Sequence, residues 1–177
     1  MRAFPVQSLN GPTMKSKLPK VIHRRLERFV TLFAKALVND APDTFHDLRV
    51  ASRRLQQALR LLSPTTKTSG ARKPLRLLRR VRRAFATCRN LDVSIALIDK
   101  RYPAAPVASL RTAWDAIRQW LEDQRTTAII DARTELKRLD LIDFVSRVQA
   151  RIDTLEQQPS DDADLRQRAK DALCAWK

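Results

Sequence analysis

The chain has 177 residues, 35 Lys and Arg against 19 Asp and Glu, a net charge of +16 and a pI near 11.1; it is long enough for one core or two joined bundles, and its charge points first to a polyanionic partner. Two glycines and 6% aromatics argue against a glycine-rich phosphate loop, a dinucleotide-binding turn or a turn-rich β-sandwich, and favour an all-α antiparallel bundle. The charge is also uneven: residues 15–89 hold 20 Lys and Arg and 4 Asp and Glu, whereas residues 90–177 hold 14 and 15, so a basic groove is expected in the first half.

Residues 1–14, broken by Pro5, Gly11 and Pro12, read as a loose leader without the apolar run of a signal peptide. A first helix begins near Lys15, with Ile22, Leu26, Phe29, Phe33 and Leu37 at spacings of three and four, and Lys17, Lys20, Arg24, Arg28 and Lys35 on the opposite face. Asn39, Asp40 and Pro42 end it and open a second helix over about residues 42–62, whose inner stripe is Leu48, Ala51, Leu55, Leu59 and Leu62. Residues 63–71 have turn composition. A third helix spans about residues 73–87 through Leu75, Leu78, Val81 and Phe85, and a short fourth, capped by Asn90 or Asp92, carries Leu91, Ile95 and Ile98. Pro103 and Pro106 then break the chain. A long fifth helix follows on Leu110, Trp114, Ile117, Leu121, Ile129 and Leu136, a sixth on Leu141, Val145, Val148, Ile152 and Leu155, and a last one from Asp161 on Leu165, Ala169, Ala172 and Trp176. The division expected is a leader at 1–14, a basic four-helix half at 15–101 and a neutral helical half at 106–177 packed against it.

The second helix carries the clearest chemistry. His46, Arg49, Arg53, Gln57 and Arg60, separated by three, four, four and three, align as a polar stripe about 20 Å long at 1.5 Å per residue, flanked by Arg54. Guanidinium groups at this spacing repel one another unless anions sit against them; the plainer alternative is a solvated basic face. His46 can cap or pack the helix start, or donate a hydrogen bond to a phosphate oxygen. The third helix repeats the pattern with Arg72, Arg76, Arg79 or Arg80, and Arg83 on one face and Lys73 and Arg82 at the edges, and no acid between Arg72 and Arg83. In the second half, Arg133 and Arg151 are balanced by Asp131, Glu135 and Asp153.

Asp92 stands beside this basic stretch, to pair Arg89 or an arginine of the third helix, or to serve as a lone general base. Neither a second carboxylate nor a nucleophile with a nearby base accompanies it. His23 is the only other histidine, and no set of residues has metal-ligand spacing, so no metal, cofactor or catalytic residue is expected. Cys88 and Cys174 form no CxxC pair and suit a reduced, cytoplasmic protein; no window is apolar enough for a membrane span.

His46-Asp47-Leu48-Arg49-Val50 with Arg53-Arg54-Leu55, and then Arg89-Asn90-Leu91-Asp92-Val93, resemble the two early motifs of the CHAD family, the conserved-histidine α-helical domains. Asn90 stands where Asp is commoner, and no second histidine-containing basic helix follows. The resemblance implies paired helix bundles around a basic groove that binds inorganic polyphosphate without catalysis, in a protein associated with polyphosphate granules. The binding residues expected are His46, Arg49, Arg53, Arg54 and Arg60 on one wall, Arg72, Lys73, Arg76, Arg79, Arg80 and Arg83 on another, Lys20, Arg24 and Arg28 from the first helix, and Arg89, with a homodimer completing the groove. Two rival readings use the same face: nucleic-acid binding, for which no aromatic stacking platform is evident, and polyphosphate hydrolysis, which normally needs an acid cluster for metal.

Overall fold

Apolar spacing decides which side of each helix turns inward, and the stripes of the first three helices meet in one core. A computed structural model describes residues 14–62, 69–101 and 107–157, together with Gln167. Its helices are α1 (Met14–Ala36), α2 (Pro42–Leu62), α3 (Ser69–Ala84), α4 (Ala86–Arg101), α5 (Ala108–Lys137) and α6 (Leu141–Gln157). The fold is all-α, with no strand among the described residues. Ile22, Leu26, Phe29 and Phe33 of α1 pack with Leu48, Ala51, Leu55 and Leu59 of α2 and Leu75, Leu78 and Val81 of α3. Ile129, Ala132 and Leu136 of α5 and Phe144, Val148 and Ile152 of α6 join the same cluster. The Phe144 ring stands edge-on to Phe29 with centroids 5.4 Å apart, which seats α6 on α1.

Three expectations are corrected. The third helix starts earlier, and the chain bends at Phe85 instead of being capped at Asn90 or Asp92. Phe85 is fully buried and stacked on Phe45 at 4.7 Å. Hydrogen bonds carry across the bend, from Phe85 N–H to the Val81 carbonyl at 3.4 Å and from Arg89 N–H to the Phe85 carbonyl at 3.2 Å, so α4 needs no cap. Second, Leu110 and Ile117 of the α5 stripe are exposed. The first turns of α5 pack chiefly on α4, and no residue from 108 to 120 is buried. Third, Asp92 pairs with neither Arg89 nor an α3 arginine: its Oδ1 accepts from Arg125 Nε of α5 at 2.6 Å. The helix expected from Asp161 lies outside the described residues, except for Gln167, as do residues 1–13 of the leader.

Arg125 and Arg133 sew α5 to the α1–α2 turn. Arg125 Nη2 donates to the Asp40 carbonyl at 2.6 Å, and its guanidinium carbon stands 5.9 Å from the centroid of the Phe45 ring. Arg133 Nε donates to the Ala36 carbonyl at 3.1 Å, and Arg133 Nη2 forms an ion pair with Asp40 at 2.6 Å. Arg133 is therefore not balanced by Asp131 or Glu135, as expected from their proximity in the chain. Glu135 instead takes Arg80 at 3.2 Å and Arg138 at 2.7 Å.

The Asp92 carboxylate is only 4% exposed and its Arg125 partner 17%, so removing the arginine leaves a buried negative charge. Arg125→Met is expected to cost about 3–5 kcal/mol of folding stability. The double variant Asp92→Leu with Arg125→Met should recover much of the loss. Urea unfolding of the two single variants and the double checks this; strictly additive losses would deny the coupling.

Candidate functional site

Apolar packing of α2 on α3 brings the polar edges of the two helices together, and both edges are arginine. Arg49 Nη1 donates to the Arg82 carbonyl at 2.8 Å, tying the second helix to the third. The Arg82 side chain turns back across the seam and donates through Nη2 to Gln56 Oε1. Its Nη1 is buried and has no hydrogen-bond partner. A neutral amide thus anchors a guanidinium whose charge no carboxylate answers.

The electrostatics show how crowded the seam is. Burial first, then the neighbouring charges of Arg53, Arg49, Arg60 and Arg79, pull the Arg82 guanidinium below its ordinary value. Burial, then Arg53 and Arg89, do the same to Arg49. Shifts in this direction mean that the folded structure disfavours the charges it holds there. Among the described residues, no carboxylate forms an ion pair with Arg49, Arg53, Arg60, Arg79, Arg82 or Arg89. An anion in the seam would offset the repulsion among these guanidinium groups.

None of the other expected residues is among the charges that chiefly act on Arg49 and Arg82. His46 is exposed on α2, one turn before Arg49. Arg83 is exposed near the end of α3 and Arg72 near its start. Arg54 is exposed, and its carbonyl accepts from Arg25 Nη1 at 3.0 Å, on the α1 side of α2. Arg28 pairs with Asp47 at 3.0 Å. Lys20 and Arg24 border a groove shared with Gln149, Ile152 and Glu156 of α6. Lys73, Arg76 and Arg80 line a different cavity of about 260 Å³, against Arg138, Asp143 and Arg147. There Arg80 is engaged by Glu135, and Asp143 by Arg147 at 2.7 Å.

The central residue of the seam, Arg82, was placed by sequence reasoning only at the edge of the third helix. A signal was present in Gln56, a polar residue on the inner side of α2, which is buried and so needs a partner from a neighbouring helix. Cys88, fully buried below the seam, has its thiol pushed up to about 11 by burial and by Asp92; it is a packing residue rather than a nucleophile. No group of three His, Cys, Asp or Glu among the described residues could hold a metal ion.

Comparison with known proteins adds one finding. The family model described as the CHAD domain matches residues 20–176, nearly the whole chain. Neither a curated protein nor a solved structure matches.

Because Arg53 is exposed and makes no hydrogen bond or ion pair across the seam, Arg53→Gln should relieve repulsion without breaking a contact. At low salt the variant is expected to be more stable than the parent by about 0.3–1 kcal/mol, the scale of exposed charge pairs. The gain should vanish at high salt, where the repulsion is already screened. Thermal melts at two ionic strengths measure it, and an unchanged or lowered midpoint at low salt would show that the arginines do not strain one another.

Proposed function

This chain belongs to the CHAD family, and we propose that it binds inorganic polyphosphate in the arginine seam between α2 and α3, as a binding module that does not process its ligand. The observation that carries the reading is the half-buried Arg82 guanidinium, set among Arg49, Arg53, Arg60 and Arg79 with no carboxylate paired to any of them among the described residues. Planar guanidinium forks meet two phosphate oxygens at once and remain charged at any physiological pH.

Two observations favour polyphosphate over nucleic acid. Phe45 and Phe85, the aromatics nearest the seam in sequence, are fully buried and stacked on each other, so they offer no face to a base. Trp120, 59% exposed, lies on the part of α5 that packs chiefly on α4. Stacking is the main sequence-tolerant source of affinity for single strands, and the seam supplies none. A binding-only role is supported by the fate of Asp92, the acid best placed in sequence to act as a base, which is buried and held by Arg125. No described helix is long and apolar enough to cross a membrane; we place the protein in the cytoplasm, with polyphosphate granules as the site where its ligand is concentrated.

Long-chain polyphosphate should displace single- and double-stranded nucleic acid at matched charge, with poor displacement in reverse. Arg82→Ala and Arg53→Ala should each weaken polyphosphate binding by about 1–3 kcal/mol, roughly 5- to 150-fold. Arg76→Ala and Arg24→Ala, outside the seam, should cost less, and Arg111→Ala on α5 should cost nothing. With about five phosphates engaged, affinity should fall roughly a hundredfold between about 50 and 200 mM salt, by analogy with single-stranded nucleic acid. Incubation with Mg²⁺ or Mn²⁺ should leave chain length unchanged on a gel. Equal competition by nucleic acid, or shortening of the polyphosphate, would overturn the reading.

A further inference from the structure

The first half of α5 carries an apolar stripe that nothing in the described structure covers. Leu110, Ile117 and Trp120 are 46%, 45% and 59% exposed. With exposed Ala113 they follow spacings of three, four and three, which puts them on one side of the helix. Trp114 and Leu121, on the neighbouring side, are the more covered residues. This part of α5 is held to α4 by Arg118, which reaches Asp99 at 2.8 Å and also pairs with Glu122 of its own helix at 2.8 Å. Contiguous exposed apolar surface ending on a tryptophan has the composition of an association site.

Charge decides what can dock there. Residues 107–124 contain Arg111 and Arg118 against Asp115, Glu122 and Asp123, an excess of one negative charge on a chain of net charge +16. A polyanion or an anionic membrane finds no attraction on this part of α5, with Arg118 already committed. Two copies of the chain repel through their basic halves, and this is a surface on which they can meet without that cost.

We propose that the stripe Leu110, Ala113, Ile117 and Trp120 is a homodimer interface, on which a second copy lays the same stripe in antiparallel, two-fold fashion. This part of α5 is about 20 Å long and about 10 Å across, and offers less area than the roughly 800 Å² per partner of a standard stable interface. The dimer is therefore weak and concentration-dependent. If the seam binds polyphosphate as proposed above, pairing places two seams on one assembly, which raises avidity for long chains but not for short ones.

Sedimentation equilibrium of the full chain, without any polyanion, tests the interface separately from the ligand. Over about a hundredfold range of concentration the average mass should climb from 20.3 kDa toward twice that value. Added salt should promote the association by screening like charges, opposite in sign to its effect on polyphosphate binding. Trp120→Asp and, separately, Leu110→Asp change exposed residues; both should remain monomeric, with unaltered helical circular dichroism and unaltered affinity for a short polyphosphate. A parent protein that stays at 20.3 kDa at every concentration and salt would overturn the proposal, whether the stripe is covered by the chain's own residues or by another protein. Undiminished dimerisation of the two aspartate variants would overturn it as well.

Discussion

The proposed function rests on one packing constraint: the apolar edges of α2 and α3 cannot meet without bringing their arginines together. Leu55, Leu78 and Val81 are fully buried, and each such side chain contributes on the order of 1.5–3 kcal/mol to folding. Burial of this size outweighs the repulsion between partly solvated guanidinium groups, which is about 1 kcal/mol or less per pair. The fold therefore holds Arg49 and Arg82 charged in a setting that depresses both. Gln56 is the device that makes this tolerable, since an amide oxygen accepts the Arg82 hydrogen bond without neutralising its charge. A carboxylate at the same place would be a better partner for the free protein and a competitor for any bound anion.

The acids are used elsewhere, and their placement completes the design. Asp40 and Asp92 hold Arg133 and Arg125, fastening α5 to the α1–α2 turn and to α4. Glu135 and Asp143 neutralise Arg80 and Arg147 at the α3–α6 corner. Arg80, Arg125, Arg133 and Arg147 thus have carboxylate partners, and the arginines of the seam do not. That contrast singles out the seam for the proposed binding role more sharply than net charge can.

Much of this was legible in the sequence, for local reasons. The inner stripes of α1 to α3 follow from three- and four-residue spacing, and the α2 polar stripe from the same arithmetic applied to His46, Arg49, Arg53 and Arg60. What escaped depends on contacts between residues far apart in the chain. The partner of Asp92 lies 33 residues away in Arg125, and that of Arg80 lies 55 away in Glu135; periodicity ranks neither above nearer candidates. Arg82 sits at a helix edge, where the direction of a long side chain is set by the neighbouring helix. The α5 stripe shows the complementary shortfall: spacing identifies Leu110 and Ile117 as one apolar face but is silent on what covers it. The break between α3 and α4 falls at Phe85, whose buried ring stacks on Phe45, 40 residues away.

The central claim is that the unpaired arginines of the α2–α3 seam, and not the basic surface at large, receive the anion. Arginine Nε–H resonances followed by NMR during titration with a short polyphosphate address it one residue at a time. The account predicts that Arg49, Arg53 and Arg82 shift first and together, while Arg125 and Arg133, locked in the scaffold, stay in place. Equal shifts across Arg24, Arg76 and the seam, or shifts confined to the α3–α6 corner, would contradict it.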